Sequence, residues 1–498
     1  MIKTQRPLSK LVRMAMLVFT LTAIATSSYS QEEDSTTGEA VKKPIGNDPR
    51  LIVLTDITNE PDDEQSLVRL LVYSNQIEIE GLIATTSSWL KNEPQPEKIR
   101  EIVQAYGKVH ANLSKHAKGF PSRQALLEKI KSGIPTYGMK SVGAGKSTEG
   151  TQHIIDVVDR DDPRPVWISI WGGANTLAQA LHDVRESRPP EELAKFVAKL
   201  RVYAIADQDD AGRWLRDQFP ELFYIVSPTN PKDGREYYNG TWTGISGDNY
   251  YQNGPKVDFE YIVTEWIEKN IINDHGALGA IYPKPKYIVE GDSPSFMNLI
   301  GNGLASHLDP AYGGWGGRYA LHQSYSETRP IWTNSRDTIA LPGGQNHTSA
   351  QATIWRWRRE FQNDFAARMN WCVAEEYSKA NHNPVVVVND DQTKDVVRIV
   401  AAPGDNVTLS AAGSSDPDDN RLTYQWYVYP EASTYSGAKS VEIKDNYARD
   451  ARFKIPDASK KDKSAEGPRT IHIILSVKDS GIPNLHSYRR IVCTVVPE

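Results

Sequence analysis

The chain has little cysteine, no strong excess of either charge and, beyond its first residues, no long apolar run. Its 498 residues include only Cys372 and Cys493. Two thiols this far apart exclude a disulfide-stapled scaffold, and a bridge between them is not the default expectation even in an oxidising compartment. Stability must come from buried apolar surface, and a chain of this length is ample for two domains. The 57 Lys and Arg against 63 Asp and Glu leave a net charge of −6. That balance gives no basic footprint for nucleic acid, so no nucleic-acid partner is expected. No segment is long and apolar enough to be read as a transmembrane helix, and no fixed-period repeat appears.

The one apolar cluster at the start has another reading. Lys3, Arg6, Lys10 and Arg13 precede a short apolar stretch over residues 14–25, and Ser28-Tyr29-Ser30 offers a small-residue cleavage site. This is the pattern of a secretory signal over residues 1–30. No Cys follows it to carry a lipid anchor. The mature chain is expected to be secreted or periplasmic. Residues 31–49 are polar and read as a linker.

Residues 50–381 alternate apolar runs with helical periodicity. The runs lie at residues 51–54, 77–86, 165–171, 201–206, 222–226 and 287–290, and a long helical stretch covers 349–380. Alternation of this kind predicts an α/β domain, with a mostly parallel sheet and helices on both faces. From residue 382 to 498 the pattern becomes short β-branched runs separated by turn signals, which predicts an all-β sandwich. Asp416, Asp418 and Asp419 in one of its turns read as a polar turn, with a cation site as the alternative.

The stretch that organises the chain is residues 50–71, RLIVLTDITNEPDDEQSLVRLL. A buried strand runs into a helix whose apolar face carries Leu67, Leu70 and Leu71. Between them stand Asp56, Asn59, Glu60, Asp62 and Asp63. Carboxylates this close repel unless a cation, a proton or hydrogen bonds neutralise them, and calcium takes six to eight such oxygens. The plainer reading leaves Asp62 and Asp63 favouring a helix N-terminus through its dipole. Position decides between them: the acids follow directly on a strand end, where open α/β sheets bind ligands. Two other segments carry less. Lys146-Ser147 follows glycines at the wrong spacing for a phosphate loop, and Trp355 to Arg359 reads as packing plus surface charge. The 12 Trp and 23 Tyr often sit beside Gly or Asn in loops, as on sugar-binding surfaces, although any single one is more simply a core residue.

The segments TDITNEPDDEQSLVRLL, WGGANTLAQAL, AIADQDDAG, EGDSPSF, YGGWGGRY and WRWRREFQNDFAARMNW together resemble the bacterial nucleoside-hydrolase-like proteins described as cellulose-binding, which carry an immunoglobulin-like C-terminal domain. More distantly they resemble the inosine–uridine nucleoside hydrolases. The resemblance implies a nucleoside-hydrolase-like domain over 50–381 and an immunoglobulin-like β-sandwich over 382–498. It also implies one divalent cation, calcium, held by Asp56, Asp63, Asp364 and the backbone carbonyl of Asn175. Sugar contacts would fall to Asp62, Ser88 and Asp292. Thr58 stands where the hydrolases carry their catalytic Asp, and Asn363 where they carry a His. A hydroxyl is no base at neutral pH, so Glu60, Asp62 and Asp209 become the substitute candidates. Glu60 and Asp62 are assigned as catalytic, and Asp209 and Asn363 as substrate-binding. The expected activity is hydrolysis of a glycosyl bond in a carbohydrate, with ordinary nucleosidase activity weak. The alternative is a non-catalytic cellulose- or carbohydrate-binding protein.

Overall fold

β1, Arg50–Thr55, is buried at every position. Leu51 and Val53 enter one apolar core while Ile52 and Leu54 enter another, so the strand lies in a sheet covered on both faces. The structure is a computed structural model that describes residues 48–228, 235–324, 327–464 and 466–496. The expected signal peptide, and the linker up to residue 47, lie outside the described residues. No helix among the described residues is long and apolar enough to cross a membrane.

β1 is followed by helix α1, Pro61–Val72, then β2, Glu78–Ala84, helix α2, Pro96–His116, and β3, Ile130–Ser132. β4, Val166–Ile170, leads into helix α3, Asn175–Ser187, and β5, Leu200–Ala206, and β6, Phe223–Ser227, complete the parallel series. β7, Tyr319–His322, and β8, Ile331–Asn334, close an eight-stranded sheet of order β3-β2-β1-β4-β5-β6-β8-β7. Only the β7–β8 pairing is antiparallel. The chain winds outward from β1 in one direction and from β4 in the other. The crevice between the C-terminal ends of β1 and β4 is therefore the topological switch point, where such sheets bind ligands.

Two details depart from the sequence reading. Residues 287–290 form no strand, because Tyr287 and Glu290 take φ of 66° and 53°, which breaks an extended run. The helical stretch after residue 349 is a short helix followed by α4, Arg358–Trp371.

A ribbon of β9, Asp337–Ala340, and β10, Asn346–Ser349, precedes α4. The C-terminal region is β-rich, with one short α-helix at Lys460–Lys463. β11, Val397–Ala401, β13, Thr423–Val428, β15, Arg469–Lys478, and β16, His486–Val495, form a sheet of order β11-β16-β15-β13. β12, Asn406–Ser410, and β14, Asp450–Lys454, form a second sheet, and both sheets contribute to one core around Trp426, Phe453 and Ile473.

Asn47–Glu498 packs as one compact unit. Tyr429, Ile474 and Tyr488 of the β region join the core of the α/β region. The backbone N–H groups of Tyr488 and Arg490 donate to Asn302 O and Gly303 O at 2.9 and 3.1 Å. A side chain at Gly303, whose φ is +93°, would strike the Tyr488 carbonyl at 1.8 Å, so the approach requires glycine. The buried Arg490 guanidinium donates to the carbonyls of Leu304, Tyr312 and Gly313 at 2.7–3.0 Å.

Candidate functional site

The loop from β1 to α1 places its acids by local chemistry. Ile57 N–H donates to Thr55 Oγ1 at 3.1 Å, and Thr55 Oγ1 in turn donates to Asp63 Oδ1. Asn59 N–H returns to Asp56 O. Pro61 occupies the first turn of α1, where its missing N–H is no loss. Asp62 and Asp63 follow it at the positive end of the helix dipole. Thr58 absorbs the turn with φ of 86° and an exposed side chain. It does not line the cavity, whereas Asn59 and Glu60 do.

A second loop brings Asp292 to the same place. Gln65 Oε1 accepts Glu290 N–H at 3.0 Å, and Ser293 Oγ donates to Ser66 Oγ at 3.1 Å. Arg69, buried on the same helix, is paired with the Glu290 carboxylate and donates to Phe361 O. Tyr282 Oη donates to Glu290 at 2.7 Å. One face of α1 thus fixes the turn that carries Asp292 against the start of the same helix.

Asp62, Asp63 and Asp292 each offer a carboxylate oxygen within 4.8 Å of the other two. Asp292 Oδ2 is buried and has no hydrogen-bond partner. Asp56 stands at the end of β1, so close to Gly172 after β4 that an added Cβ there would meet its Oδ1 at 2.7 Å. The cavity these groups share measures about 20 Å³. That is room for an ion or a water, since one water needs about 10–15 Å³. Its walls are Trp171, Trp242, Tyr237 and Tyr251, with Trp89 at the rim, 60% exposed.

Burial pushes every carboxyl here toward its neutral form. Asp62 rises to about 8, from burial first and then from the charges of Glu60 and Asp56. Asp56 rises to about 6 by burial, moderated by a hydrogen bond from Ser87. Asp63 and Asp292 lie well above the usual carboxylate range, again from burial and then from their acidic neighbours. Glu60, half-buried, is raised by burial alone. A trio of buried carboxyls with an orphaned oxygen fits a divalent cation, because hard cations take carboxylate oxygens and their charge removes the repulsion.

Five residues assigned from sequence take other partners than the acid cluster. Asp364 lies outside the cavity: it accepts from Tyr73 Oη at 2.6 Å, Asn383 at 2.7 Å and Arg368, four residues along α4, at 3.1 Å. Those donors already balance its charge. Asn363, beside it, donates to Asn484 of the β region at 3.2 Å. Asn175 begins α3, and carbonyls of a first turn point along the helix axis toward the i+4 N–H. Its side-chain amide donates to Thr86, Thr136 O and Ser141. Asp209 accepts the N–H groups of Asn175 and Ala211 at 3.0 and 2.9 Å, capping two helices, and burial still raises it to about 6. Ser88 also faces away from the acids: its N–H and Oγ both donate to Gln208 O, which fixes the position of neighbouring Trp89. The sequence assignments missed Trp171, Trp242, Tyr237, Tyr251 and Gln208, although aromatics in loops beside Gly and Asn were a visible signal.

A mostly parallel sheet with an acid cluster at its switch point, fed by the first βα loop, defines a nucleoside-hydrolase-like protein. The chain belongs to the family described as cellulose-binding Sde182, nucleoside hydrolase-like domain, which it matches over residues 50–319. Residues 406–495 match the C-terminal domain of cellulose-binding protein Sde0182. Among solved structures it is similar to a nucleoside hydrolase-related hypothetical protein from Saccharophagus degradans that is associated with carbohydrate metabolism. The identity is 39% over 90% of this chain and all of that one, with a TM-score of 0.75. The PKD domain from KIAA 1837 protein matches at 22% identity over 21% of this chain and 81% of its own, with a TM-score of 0.15. That score carries no argument about the fold. No curated protein matches.

Proposed function

We propose that this protein is exported and acts on a glycosyl bond of a carbohydrate, using a divalent cation, most simply calcium, held by Asp62, Asp63 and Asp292 with Asp56 beside them. The observation that carries the reading is the buried carboxyl trio at the switch point, with Asp292 Oδ2 unpartnered. When bound, the cation supplies positive charge that neutralises the trio and acidifies water at the site.

The chain's own groups have separable tasks. Glu60 stands at the cavity, half-buried and outside the trio that would hold the ion, and accepts the proton of an attacking water. Asp62 orients sugar hydroxyls by accepting their hydrogen bonds. Trp171 and Trp242 exclude bulk water, which strengthens every charge interaction inside. Glycosyl cleavage usually runs through an oxocarbenium-like transition state, whose positive charge the ionised Asp62 would also stabilise beside Glu60.

A second reading is a carbohydrate-binding protein without turnover, in keeping with the family's description. It is favoured by one observation: Thr58 faces solvent and Asn363 packs on Asn484, so neither hydrolase proton-transfer position reaches the cavity. Incubating the calcium-loaded protein with inosine, uridine and cello-, xylo- and arabino-oligosaccharides separates the two. Release of reducing sugar that is lost in Glu60→Gln supports the hydrolase. Saccharide binding without turnover selects the binding protein.

A further inference from the structure

The acidic cavity is too small for a sugar ring, but its aromatic wall continues outward. Trp242 in the wall lies 6.4 Å, centroid to centroid, from Tyr251, and Tyr251 lies 4.8 Å from Tyr238, both pairs edge-to-face. Tyr251 borders the cavity on one side and an open groove on the other. Among the described residues the groove is lined by Tyr238, Tyr287, Gln252 and Asn253, and by no charged side chain.

Its tyrosines are unusually open to solvent. Tyr238 is 46% and Tyr287 53% exposed. Gln252, exposed, lines the same groove, whereas Asn253 is turned inward, its amide donating to Thr243 Oγ1 at 3.1 Å. Aromatic faces carry partial negative charge and attract the C–H edges of a ligand, while the exposed Gln252 amide and the tyrosine hydroxyls can hydrogen-bond its hydroxyls. A neutral ligand that offers C–H faces and hydroxyls in alternation satisfies both. A single nucleobase spans one ring, whereas a groove lined by Tyr251, Tyr238 and Tyr287 offers several rings to a repeating ligand.

We propose that this groove is an outer subsite for a neutral oligosaccharide that reaches the acidic cavity by its chain end, the terminal unit at the cavity mouth and later units stacked on Tyr251, Tyr238 and Tyr287. This rests on the carbohydrate reading above and adds to it that the ligand is a chain, gripped beyond its first unit. The continuity of the groove with the cavity through Tyr251 carries the assignment.

The test is calorimetric titration of the calcium-loaded full chain with glucose, cellobiose, cellotetraose, cellohexaose and inosine. Wild type is set beside Tyr238→Ala, Tyr287→Ala and Tyr238→Phe. The replaced rings are exposed, and matching melting temperatures confirm an intact fold. Wild-type affinity is expected to rise with chain length. Each alanine is expected to weaken cellotetraose and cellohexaose by about three- to tenfold, with glucose unchanged and Tyr238→Phe close to wild type. Affinity independent of length, or a length gradient that survives both alanines, overturns the subsite and leaves the carbohydrate reading standing. Binding of no saccharide at any length overturns both. Loss of inosine but not of cello-oligosaccharide binding in Tyr238→Ala makes the groove a nucleobase site and overturns the proposal.

Discussion

Arg490 donates from Nη1 to Nδ1 of His472 across 3.1 Å. The bond requires a neutral imidazole, and burial followed by the Arg490 charge holds the His472 pKa down to about 3. The unfolded value is near 6.5. A depressed folded pKa contributes stability that is present above the unfolded value and is lost as pH falls toward the folded one. Acid is therefore expected to destabilise the fold between about 6.5 and about 3. Each pKa unit corresponds to about 1.4 kcal/mol, so the change should reach a few kcal/mol. His472→Asn keeps an acceptor and cannot titrate. Denaturant titrations at stepped pH should show a shallower acid limb in that variant, and an equally steep one would count against the assignment.

Cation uptake separates the two positions at which a hydrolase-like shell places its carboxylates. Asp63→Asn and Asp292→Asn are expected to weaken calcium binding to the chelated protein. Changes merely behind a metal ligand already cost about 10–100-fold, so the loss should be at least that large. Asp364→Asn should bind calcium as wild type does, because Arg368 and Tyr73 already occupy its oxygens. Calorimetry reads all three, and a normal isotherm for Asp63→Asn would remove that residue from the shell.

For the chemistry, Glu60→Gln is isosteric and removes only the proton acceptor. It is expected to lower kcat by about 10²–10⁴-fold with little change in KM on the best saccharide, as for a group acting in the transition state alone. A change confined to KM would make Glu60 a binding residue. Inosine should be a poor substrate for the wild-type protein.

Thr58 is a β-branched residue at φ 86°, a backbone region that costs such a residue of order 1–3 kcal/mol. Glycine occupies it freely but loses about 0.5–1 kcal/mol in unfolded-chain entropy. Thr58→Gly is therefore expected to raise stability by about 1 kcal/mol, read as a shift in the urea midpoint at constant slope. A lower midpoint would mean that the threonine side chain holds the loop.

The sheet, the organising loop and the Asp292 turn were legible because each is contiguous in sequence and carries its own local signal. A buried run ends at Thr55, Pro61 opens a helix, and Gly291-Asp292 marks a turn. The structure departs from the sequence assignments where a tertiary partner redirects a side chain. Asp364 looked like a ligand by analogy, yet Arg368 four residues on was a visible helical ion pair. Asp209, just ahead of Ala211 at a helix start, had the position of a capping acid. The left-handed turn at Thr58 had no local signal, since an ungapped motif match assumes an unchanged backbone path. Tyr251 and Trp242 meet Asp292 only through long-range folding, so no spacing in the chain announces them.

The hydrogen bonds from Tyr488 and Arg490 to Asn302 and Gly303 have a consequence for anyone who divides the chain. Beyond those two residues β16 is flanked by β11, and the loop at 302–303 completes the row. Expressed alone, the C-terminal piece keeps its own core around Trp426 but presents that stretch of strand with open donors. Unpaired edges template pairing with other chains. The isolated piece should therefore self-associate as its concentration rises, while a piece that retains the 302–303 loop should stay monomeric.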